Sequence, residues 1–419
     1  MRISSLQIFN IANNSISDAN KALVKTQEQL STGLRVLNPS DDPVAATKIL
    51  AISEELATTA QYRNNINIAK NDLGVEEATL DAVLNVIQRV QELAVQAGNT
   101  ATLSTTEYQS IANEVDARLD ELKNLLNTKN TNGDYIFGGY KSQSEPFTGS
   151  AQSGFQYNGD EGQKNIKIAN NTFVAASDSG KAAFVDIQGE RPGISTYAAA
   201  SNRSTPPVTI SVGTIVDRDA FDEFYPEDMV ISFNEDSNIA PPGKNFTITE
   251  RSTGRVILAD EPYLPGTELI VNGVSVTITG NPASATPTQA GDRLFVDSSD
   301  KQDILTTFAQ FSLSMKNYSG SSADRDALEE TIADTIDNLQ NAQTSVLEIT
   351  SKIGARFSTL ESTESLHTDS ELALEELLSD LRDVDYAEAS TRLASQTLIL
   401  QAAQTAFVRV SALSLFDQL

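Results

Sequence analysis

Apolar residues near both ends of the chain recur at alternating spacings of three and four, which is typical of coiled-coil helices. The N-terminal repeat comprises Phe9, Ala12, Ile16, Ala19, Leu23, Thr26 and Leu30. The C-terminal repeat comprises, at every seventh position, Ile332, Leu339, Val346, Ile353, Leu360, His367, Leu374 and Leu381, with Ala342, Ile349, Leu377 and Val384 as companions. A long helix gains most of its stability from packing its apolar stripe, so both repeats predict helices that need partners.

A helix break separates the N-terminal repeat from a second one. The predicted structural turn comprises Asn38, Pro39, Asp41, Asp42 and Pro43. An acidic N-cap directly before a proline favours a new helix starting at position 43, because the first helical residue has no partner for an N–H group. The new helix carries its own apolar repeat: Ile66, Leu73, Leu80, Ile87 and Ala94.

The middle of the chain has a different composition. Seventeen of the 22 glycines lie between positions 133 and 291, among short segments of alternating apolar and polar residues. This pattern predicts strands and turns, and Asn272-Gly273 predicts a tight hairpin. We interpret the region as two β units with a boundary near residues 198–207. Helix resumes near Asp300, breaks around Ser319-Gly320-Ser321 and continues into the C-terminal repeat.

The charge and residue content narrow the classes of function. The 419 residues carry 57 acidic and 30 basic side chains, a net charge of −27, which disfavours nucleic acid and anionic lipid as partners. The chain has no cysteine and one histidine, so we predict no metal site and no cofactor. The N-terminal residues lack a Sec-type signal peptide, and no apolar run is long enough for membrane insertion.

Candidate catalytic features are weak, and we predict no catalytic, cofactor-binding or metal-binding residues. The acidic residues between positions 217 and 228 lack the spacing and the glycine of a calcium-binding loop. Gly138-Gly139 lacks the flanking pattern of a phosphate-binding loop, and a single histidine makes a catalytic triad hard to build. We therefore expect a structural protein and not an enzyme.

Four stretches of the sequence carry distinctive motifs. They are Ile3-Ser4-Ser5-Leu6, the run from Leu30-Ser31-Thr32-Gly33 to Asp42-Pro43, the run from Asn130-Thr131 to Gly139-Tyr140 with Pro146-Phe147, and Leu381-Arg382-Asp383-Val384-Asp385-Tyr386. These motifs resemble those of bacterial flagellins and their hook-associated relatives. The stretch from Asn130 through Phe147 resembles the hook-associated members more than flagellin. The resemblance covers roughly residues 1–184 and 300–419.

This resemblance implies an α+β multidomain fold, in which both termini form a long coiled-coil rod of helices and β-rich domains are inserted in the middle. It implies six segments. Residues 1–35 form an N-terminal assembly helix paired with the C-terminus, 36–135 the N-terminal part of the rod, and 136–198 its β-rich part. Residues 199–298 form a variable outer β domain, 299–385 the C-terminal part of the rod, and 386–419 a C-terminal assembly helix.

The resemblance also implies a role and partners. We expect an extracellular subunit of the flagellum that joins hook to filament, exported without a cleaved signal peptide. Its partners would include further copies of itself in a ring or helical lattice, and an export chaperone. On the hook side it would bind another hook-associated protein, and on the filament side flagellin or an adjoining junction protein. We expect no nucleic acid and no membrane insertion.

The apolar residues of the two terminal helices are the predicted subunit-assembly interface. They are Phe9, Ile16, Leu23, Leu30, Leu398, Leu400, Phe407, Val410 and Phe416. Polar residues separate them, so we expect the terminal segments to be partly disordered in a free subunit and to fold against neighbouring copies. Head-to-tail contacts between identical subunits make rings or tubes.

Three alternatives remain open from the sequence. The chain could be flagellin itself, which shares both ends and polymerises alone. It could be a secreted adhesin whose β domain, near residues 209–278, binds a surface, although the chain has no tryptophan for stacking on sugars. It could also carry a carboxylate-dependent hydrolase site in the outer domain.

Overall fold

The computed structural model describes residues 5–99 and 103–416, and the helices of that part of the chain lie mainly at its two ends. They are α1 (Ser5–Thr32), α2 (Pro43–Ala97), α3 (Thr105–Leu126), α4 (Arg218–Phe224), α5 (Ile304–Asn317), α6 (Ser322–Arg382) and α7 (Tyr386–Phe416). The break predicted around Ser319-Gly320-Ser321 separates α5 from α6. The expected α+β organisation, with helices at both ends and a β-rich middle, is confirmed.

The strands occupy the middle of the chain. They are β1 (Phe147–Ser150), β2 (Gly154–Tyr157), β3 (Asn165–Ala169), β4 (Thr172–Ala175), β5 (Ile187–Ala198), β6 (Thr209–Ile210), β7 (Thr214–Ile215), β8 (Met229–Phe233), β9 (Asn245–Glu250), β10 (Val256–Pro262), β11 (Glu268–Val271), β12 (Val274–Thr279) and β13 (Arg293–Gln302). Strands β1–β2 and β3–β4 form separate hairpins. A five-stranded sheet has the order β10-β9-β8-β13-β5, and β11-β12-β6 form another sheet with β7 beside β12.

Local signals in the sequence set several of these boundaries. Helix α2 begins at Pro43 as predicted, and Asp42 Oδ1 accepts a hydrogen bond from the Ala45 N–H at 3.0 Å. Between β11 and β12, Asn272 and Gly273 both have positive φ angles, 48° and 76°, which is the geometry of a two-residue hairpin turn. The Asn-Gly hairpin prediction is therefore confirmed.

The central helical core lies in residues 66–360. The repeat residues of α2 predicted from the sequence are all fully buried, and so are Leu339, Val346, Ile353 and Leu360 of α6. The same cluster includes apolar residues of α3 and α5, which pack against each other, and of the β1–β4 region. The apolar repeat is thus satisfied within the chain here.

A second apolar core fills the space between the five-stranded sheet and the β11–β12 sheet. The two cores meet within β5, because Ile187 belongs to the first core and Ile194 to the second. The sequence suggests a boundary near residues 198–207, after β5. β5 pairs with β13 along most of its length and contributes to both cores, and it ends at Ala198, where this suggested boundary region begins.

Charged side chains also connect β5 and α4 to α6. Arg191 Nε lies 3.3 Å from Asp334 Oδ1, and Arg218 Nη1 lies 3.8 Å from Asp334 Oδ2. Arg191 also pairs with Glu330 on the next turn of α6. Asp334 is partly buried, so the loss of both arginines would leave its carboxylate without a compensating charge. These ion pairs therefore hold the strands around the second core against α6.

The chain divides into two compact units, each with many more contacts within itself than with the other. They are residues 66–360, and residues 1–65 together with 361–419. We call the second the terminal unit. Among the described helices, none has an apolar stretch that could cross a membrane. Within residues 5–99 and 103–416, no group of three or more His, Cys, Asp or Glu side chains could hold a metal ion.

A fully buried carboxyl group lies where α2 meets the segment after β4. Glu76 Oε1 accepts a hydrogen bond from the Asp178 N–H at 3.1 Å, whereas Oε2 is buried and makes no hydrogen bond within the protein. Asp178 itself is held by the Arg356 guanidinium of α6, with N–O distances of 2.6 and 2.9 Å. Burial, reinforced by the negative charge of Asp178, raises the pKa of Glu76 to about 8.

Glu76 should make the stability of the protein depend on pH. In the unfolded chain its carboxyl loses its proton near pH 4.5, whereas in the folded chain it keeps it up to about pH 8. The folded state therefore binds more protons in this window, and the Glu76 contribution to stability is lost as pH rises through it. Glu76→Gln should raise the free energy of unfolding near pH 9 by up to about 5 kcal/mol, since each pKa unit is worth about 1.4 kcal/mol, while changing it much less near pH 5.

Urea unfolding followed by far-ultraviolet circular dichroism at the two pH values measures this difference. Glu54→Gln, an exposed position on the same helix, is the matched control and should keep the pH dependence of the unmodified protein. If Glu76→Gln retains that dependence as well, the buried carboxyl does not hold its proton.

Candidate assembly interface

The terminal unit is built on the pairing of α1 with α7. The ring of Phe9 lies 5.2 Å from that of Phe407, measured between centroids. The predicted interface residues Ile16, Leu23, Leu30, Leu400 and Phe407 are half-buried, whereas Phe9 and Leu398 are exposed. The side chains of Val410 and Phe416 lie outside the described residues. The N-terminal repeat is thus partly covered within a single chain.

Other large apolar side chains of these two helices remain exposed. We call this group the exposed terminal set: Ile11, Val24, Leu398, Ile399 and Val408, each between 49% and 68% exposed. Only Leu398 was predicted from the sequence. The rest were missed because they lie outside the heptad positions, and a single apolar residue at such a position carries no periodic signal.

Two helix breaks lie side by side in the terminal unit. The Arg35 N–H donates to the Arg382 carbonyl at 2.7 Å, and the Val384 N–H donates to the Gly33 carbonyl at 2.9 Å. Leu34 and Asp383 form an antiparallel bridge between these bonds. The end of α1 is thereby fastened to the link between α6 and α7, and backbone groups that helix ends leave without partners are satisfied.

The side chain of Arg35 strengthens this junction. Its Nε and Nη2 donate to the Leu381 carbonyl at 3.2 and 2.7 Å, at the C-terminal end of α6, where a positive charge also complements the helix dipole. Its Nη1 donates to Asp42 Oδ2 at 3.2 Å. One arginine therefore contacts both the end of α6 and the start of α2. Sequence reasoning missed this role because its main acceptor lies 346 positions away.

The predicted turn is held by its two aspartates. Asp41 Oδ2 accepts from the Asn38 N–H at 3.1 Å, and Asp41 Oδ1 lies 2.6 Å from Lys25 Nζ of α1. The hydrogen bond from Lys25, followed by that from Asn38, lowers the pKa of Asp41. The hydrogen bond from the Ala45 N–H, followed by that from Arg35, lowers the pKa of Asp42. Both carboxylates therefore support the turn above their normal titration range and lose this effect as pH falls through their lowered pKa values.

The apolar repeat of α6 changes in the terminal unit. His367 is buried, and its ring stacks on that of Tyr62 with 5.6 Å between centroids. Leu377, which the repeat predicts as a companion position, is exposed, and Leu378 is buried instead. That prediction is wrong by one residue because a straight α-helix, with 3.6 residues per turn, drifts relative to a strict seven-residue repeat.

The arrangement is suited to association. The site consists of paired helices with exposed apolar side chains and a hydrogen-bonded junction, and its charged groups serve as caps and ion pairs. Exposed apolar side chains in such numbers on long helices typically mark a surface that is covered by another molecule.

Family models match both helical ends of the chain. The bacterial flagellin N-terminal helical region matches residues 3–142, and the bacterial flagellin C-terminal helical region matches residues 336–419. Together they cover more than half of the chain and include both halves of the terminal unit. The chain belongs to the flagellin family.

Within this family, hook-associated proteins are among the similar sequences. Flagellar hook-associated protein 3 of Salmonella typhimurium is 40% identical over 147 residues, which are 35% of this chain and 46% of that protein. The protein of the same name from Escherichia coli is 38% identical over 148 residues. A Bacillus subtilis flagellin is 36% identical over 133 residues, 30% of this chain and 42% of the flagellin. The chain thus spans less than half the length of these relatives.

A solved structure shares the fold over a longer stretch. The flagellar hook associated protein-3 of Legionella pneumophila is 24% identical, has a TM-score of 0.52, and is matched over 80% of this chain and 98% of its own. At this identity the match supports the fold only. It extends the likeness beyond the two terminal regions into the β-rich middle.

The paired breaks predict a specific effect of Gly33→Ala. Gly33 has a φ of +75°, and an added Cβ would lie 3.1 Å from the hydroxyl oxygen of Tyr386. The substitution should destabilise the junction by about 1 kcal/mol, because alanine is strained in this conformation. Hydrogen exchange should then become faster at the amides of Arg35 and Val384, which bridge the two breaks.

Gly354→Ala is the matched control for this measurement. Gly354 lies within α6, and a Cβ there would meet nothing within 4 Å. Alanine should stabilise that helix by roughly 0.5–1 kcal/mol. Unchanged exchange at Arg35 and Val384 in the Gly33→Ala protein would contradict the proposed importance of the junction.

Proposed function

We propose that this chain is a structural subunit of the bacterial flagellum that joins hook to filament. The observation that carries the proposal is the exposed terminal set on helices of the flagellin family, since about half or more of each of these side chains remains exposed in the single chain. The similarity to hook-associated proteins 3 supports the junction role over that of an ordinary filament subunit.

The subunit assembles through its terminal helices. The proposed interface that neighbouring copies bury consists of the predicted residues and the exposed terminal set. The predicted residues are Phe9, Ile16, Leu23, Leu30, Leu398, Leu400, Phe407, Val410 and Phe416. Head-to-tail repetition of this contact gives a ring or a helical lattice. The turn from Asn38 to Pro43 and the paired breaks fix the position at which each helix restarts. This role is supported by the hydrogen bonds of Arg35 and the two aspartates.

The six segments expected from the sequence are part of the proposal. The start of α7 at Tyr386 and the buried repeat of α2 support the division of the helical parts. The outer segment, residues 199–298, contains most of the second core. Its partners are another hook-associated protein on the hook side and flagellin or an adjoining junction protein on the filament side. An export chaperone holds the C-terminal helix before extracellular assembly, and export needs no cleaved signal.

Flagellin is the second candidate, favoured by the similarity to the Bacillus subtilis flagellin. The two functions differ in assembly. A filament subunit polymerises alone into long tubes, whereas a junction subunit stops at a ring or short oligomer and binds two different partners.

Replacing Leu398 and Ile399 by serine should weaken association. Both side chains are exposed in the single chain, so the double variant should fold normally, and its contact with neighbours should lose about 1.5 kcal/mol or more per leucine or isoleucine that would have been buried. Sedimentation velocity of the variant, alone and with hook and filament proteins, measures the loss. Phe173→Ser, an exposed position on β4, is the control and should assemble like the unmodified protein.

Hydrogen exchange by mass spectrometry should show when the terminal helices become stable. In the free subunit, residues of α1 and α7 should exchange fast, because their apolar surface is incompletely covered. Mixing with hook proteins and with flagellin, each separately, should slow the exchange if the chain is a junction subunit. Slow exchange in the free subunit would argue against folding upon assembly, and long tubes formed by the chain alone would favour flagellin.

A further inference from the structure

An apolar groove opens between two edge strands of the sheets that enclose the second apolar core, which we call the outer core. β10 is the last strand of the five-stranded sheet, and β11 is the last strand of the neighbouring sheet. Residues 263–267 connect them directly. The groove has a volume of about 330 Å³, and its lining includes Phe246, Leu258, Tyr263, Leu264, Leu269 and Ile278.

The groove is continuous with the core. Phe246, Tyr263 and Ile278 are buried and form its base. Leu258 and Leu269, one on each edge strand, pack against the same core but remain half-buried. Leu264, in the connection between the strands, is 68% exposed. The two sheets therefore leave apolar walls partly uncovered on this side, and an added side chain between them would bury more apolar surface.

The strands beside the groove can also pair with an added strand. A strand at the end of a sheet has a row of backbone N–H and C=O groups on its outer side, and extended peptides bind such edges by continuing the sheet. β11 pairs regularly with β12 over its four residues, whereas β10 is interrupted by two register shifts against β9. A bulged edge pairs poorly. β11 is thus the better edge for an incoming segment.

The charge of the rim is entirely negative. Glu261 and Glu268 line the groove, and no lysine or arginine occurs between Arg255 and Arg293. Arg255 is paired with Glu250, and Lys244 donates to Ser284 at 2.8 Å and lies 3.8 Å from Asp236. The nearest basic side chains in the sequence are therefore engaged elsewhere. An occupant with a positive charge beside its apolar residue would complement this rim.

We propose that this groove binds an extended segment of a different protein, which places an apolar side chain between Leu258 and Leu269 and a lysine or arginine against Glu261 and Glu268. The backbone of the segment continues the sheet along β11. A second copy of this chain is a poorer occupant, because it carries a net charge of −27 and would bring like charge to an acidic rim. The proposal goes beyond the structural role of the terminal helices and concerns the middle of the chain.

The test uses the full chain and a fluorescein-labelled peptide, Lys-Leu-Thr-Val-Lys-Val-Thr-Leu-Lys, followed by fluorescence anisotropy. We expect saturable binding that weakens with salt. Leu264→Ser should weaken it about tenfold, since burying one leucine is worth ~1.5 kcal/mol or more. Glu261→Gln should weaken it about threefold, as expected for one exposed ion pair. Both side chains are exposed, so neither change should affect folding.

Matched controls separate the groove from general attraction to an acidic protein. Phe173→Ser removes an exposed apolar side chain of β4, and Glu223→Gln removes an exposed charge on α4; neither residue lines the groove, so neither change should alter the affinity. A peptide with serine at the four apolar positions, and one with glutamate in place of lysine, should both fail to bind. Equal binding of the serine peptide, or equal affinity of the Leu264→Ser protein, would overturn the proposal. Self-association of the chain that Leu264→Ser abolishes would assign the groove to a second copy instead.

Discussion

The burial of one apolar stripe along each long helix is the constraint on which this structure depends. In residues 66–360 the chain meets it internally, because α2 and α6 have α3, α5 and the β-rich segments around them. The described residues of the terminal unit form two pairs of helices, α1 with α7 and α2 with α6, and large apolar side chains stay exposed on α1, α6 and α7. Isolated helices gain little from propensity alone, so the stability of these ends depends on additional contacts.

Polar contacts stabilise the terminal unit at the helix breaks, where the apolar stripe is interrupted. Breaks in helices expose backbone groups, and at the paired breaks these groups bind each other across the chain instead of binding water. Arg35 adds a charge-assisted contact to the Leu381 carbonyl and a second one to the carboxylate that caps α2. Such bonds are directional, whereas apolar packing tolerates sliding. The junction therefore fixes the register between the N-terminal and C-terminal halves of the terminal unit.

Local patterns in the sequence were enough to predict individual helices and turns. They could not predict which distant residues pair with one another. The repeat of α2, the Asp42-Pro43 helix start and the Asn272-Gly273 turn each depend on neighbours within one or two turns of chain, and all are confirmed. Arg35, Glu76 and the β5–β13 pairing depend on residues about 100 or more positions away. Glu76 lies three residues after Leu73 and so falls on the apolar stripe of α2, but the segment around Asp178 that covers it is about 100 positions away and could not be inferred from this pattern.

The acidity of the chain affects the exposed apolar surface of the terminal helices and the groove of the outer core differently. Copies with a charge of −27 repel each other at long range, but at physiological ionic strength this repulsion is screened beyond about 8 Å. Association through the terminal helices can then be driven by short-range apolar burial, since the exposed side chains there include leucine, isoleucine, valine and phenylalanine. In the groove of the outer core the acidic groups lie within a few ångströms of any occupant, where screening is weak. Screening therefore leaves the proposed self-association at the ends to apolar burial, whereas the acidic rim would favour the basic partner proposed for the groove.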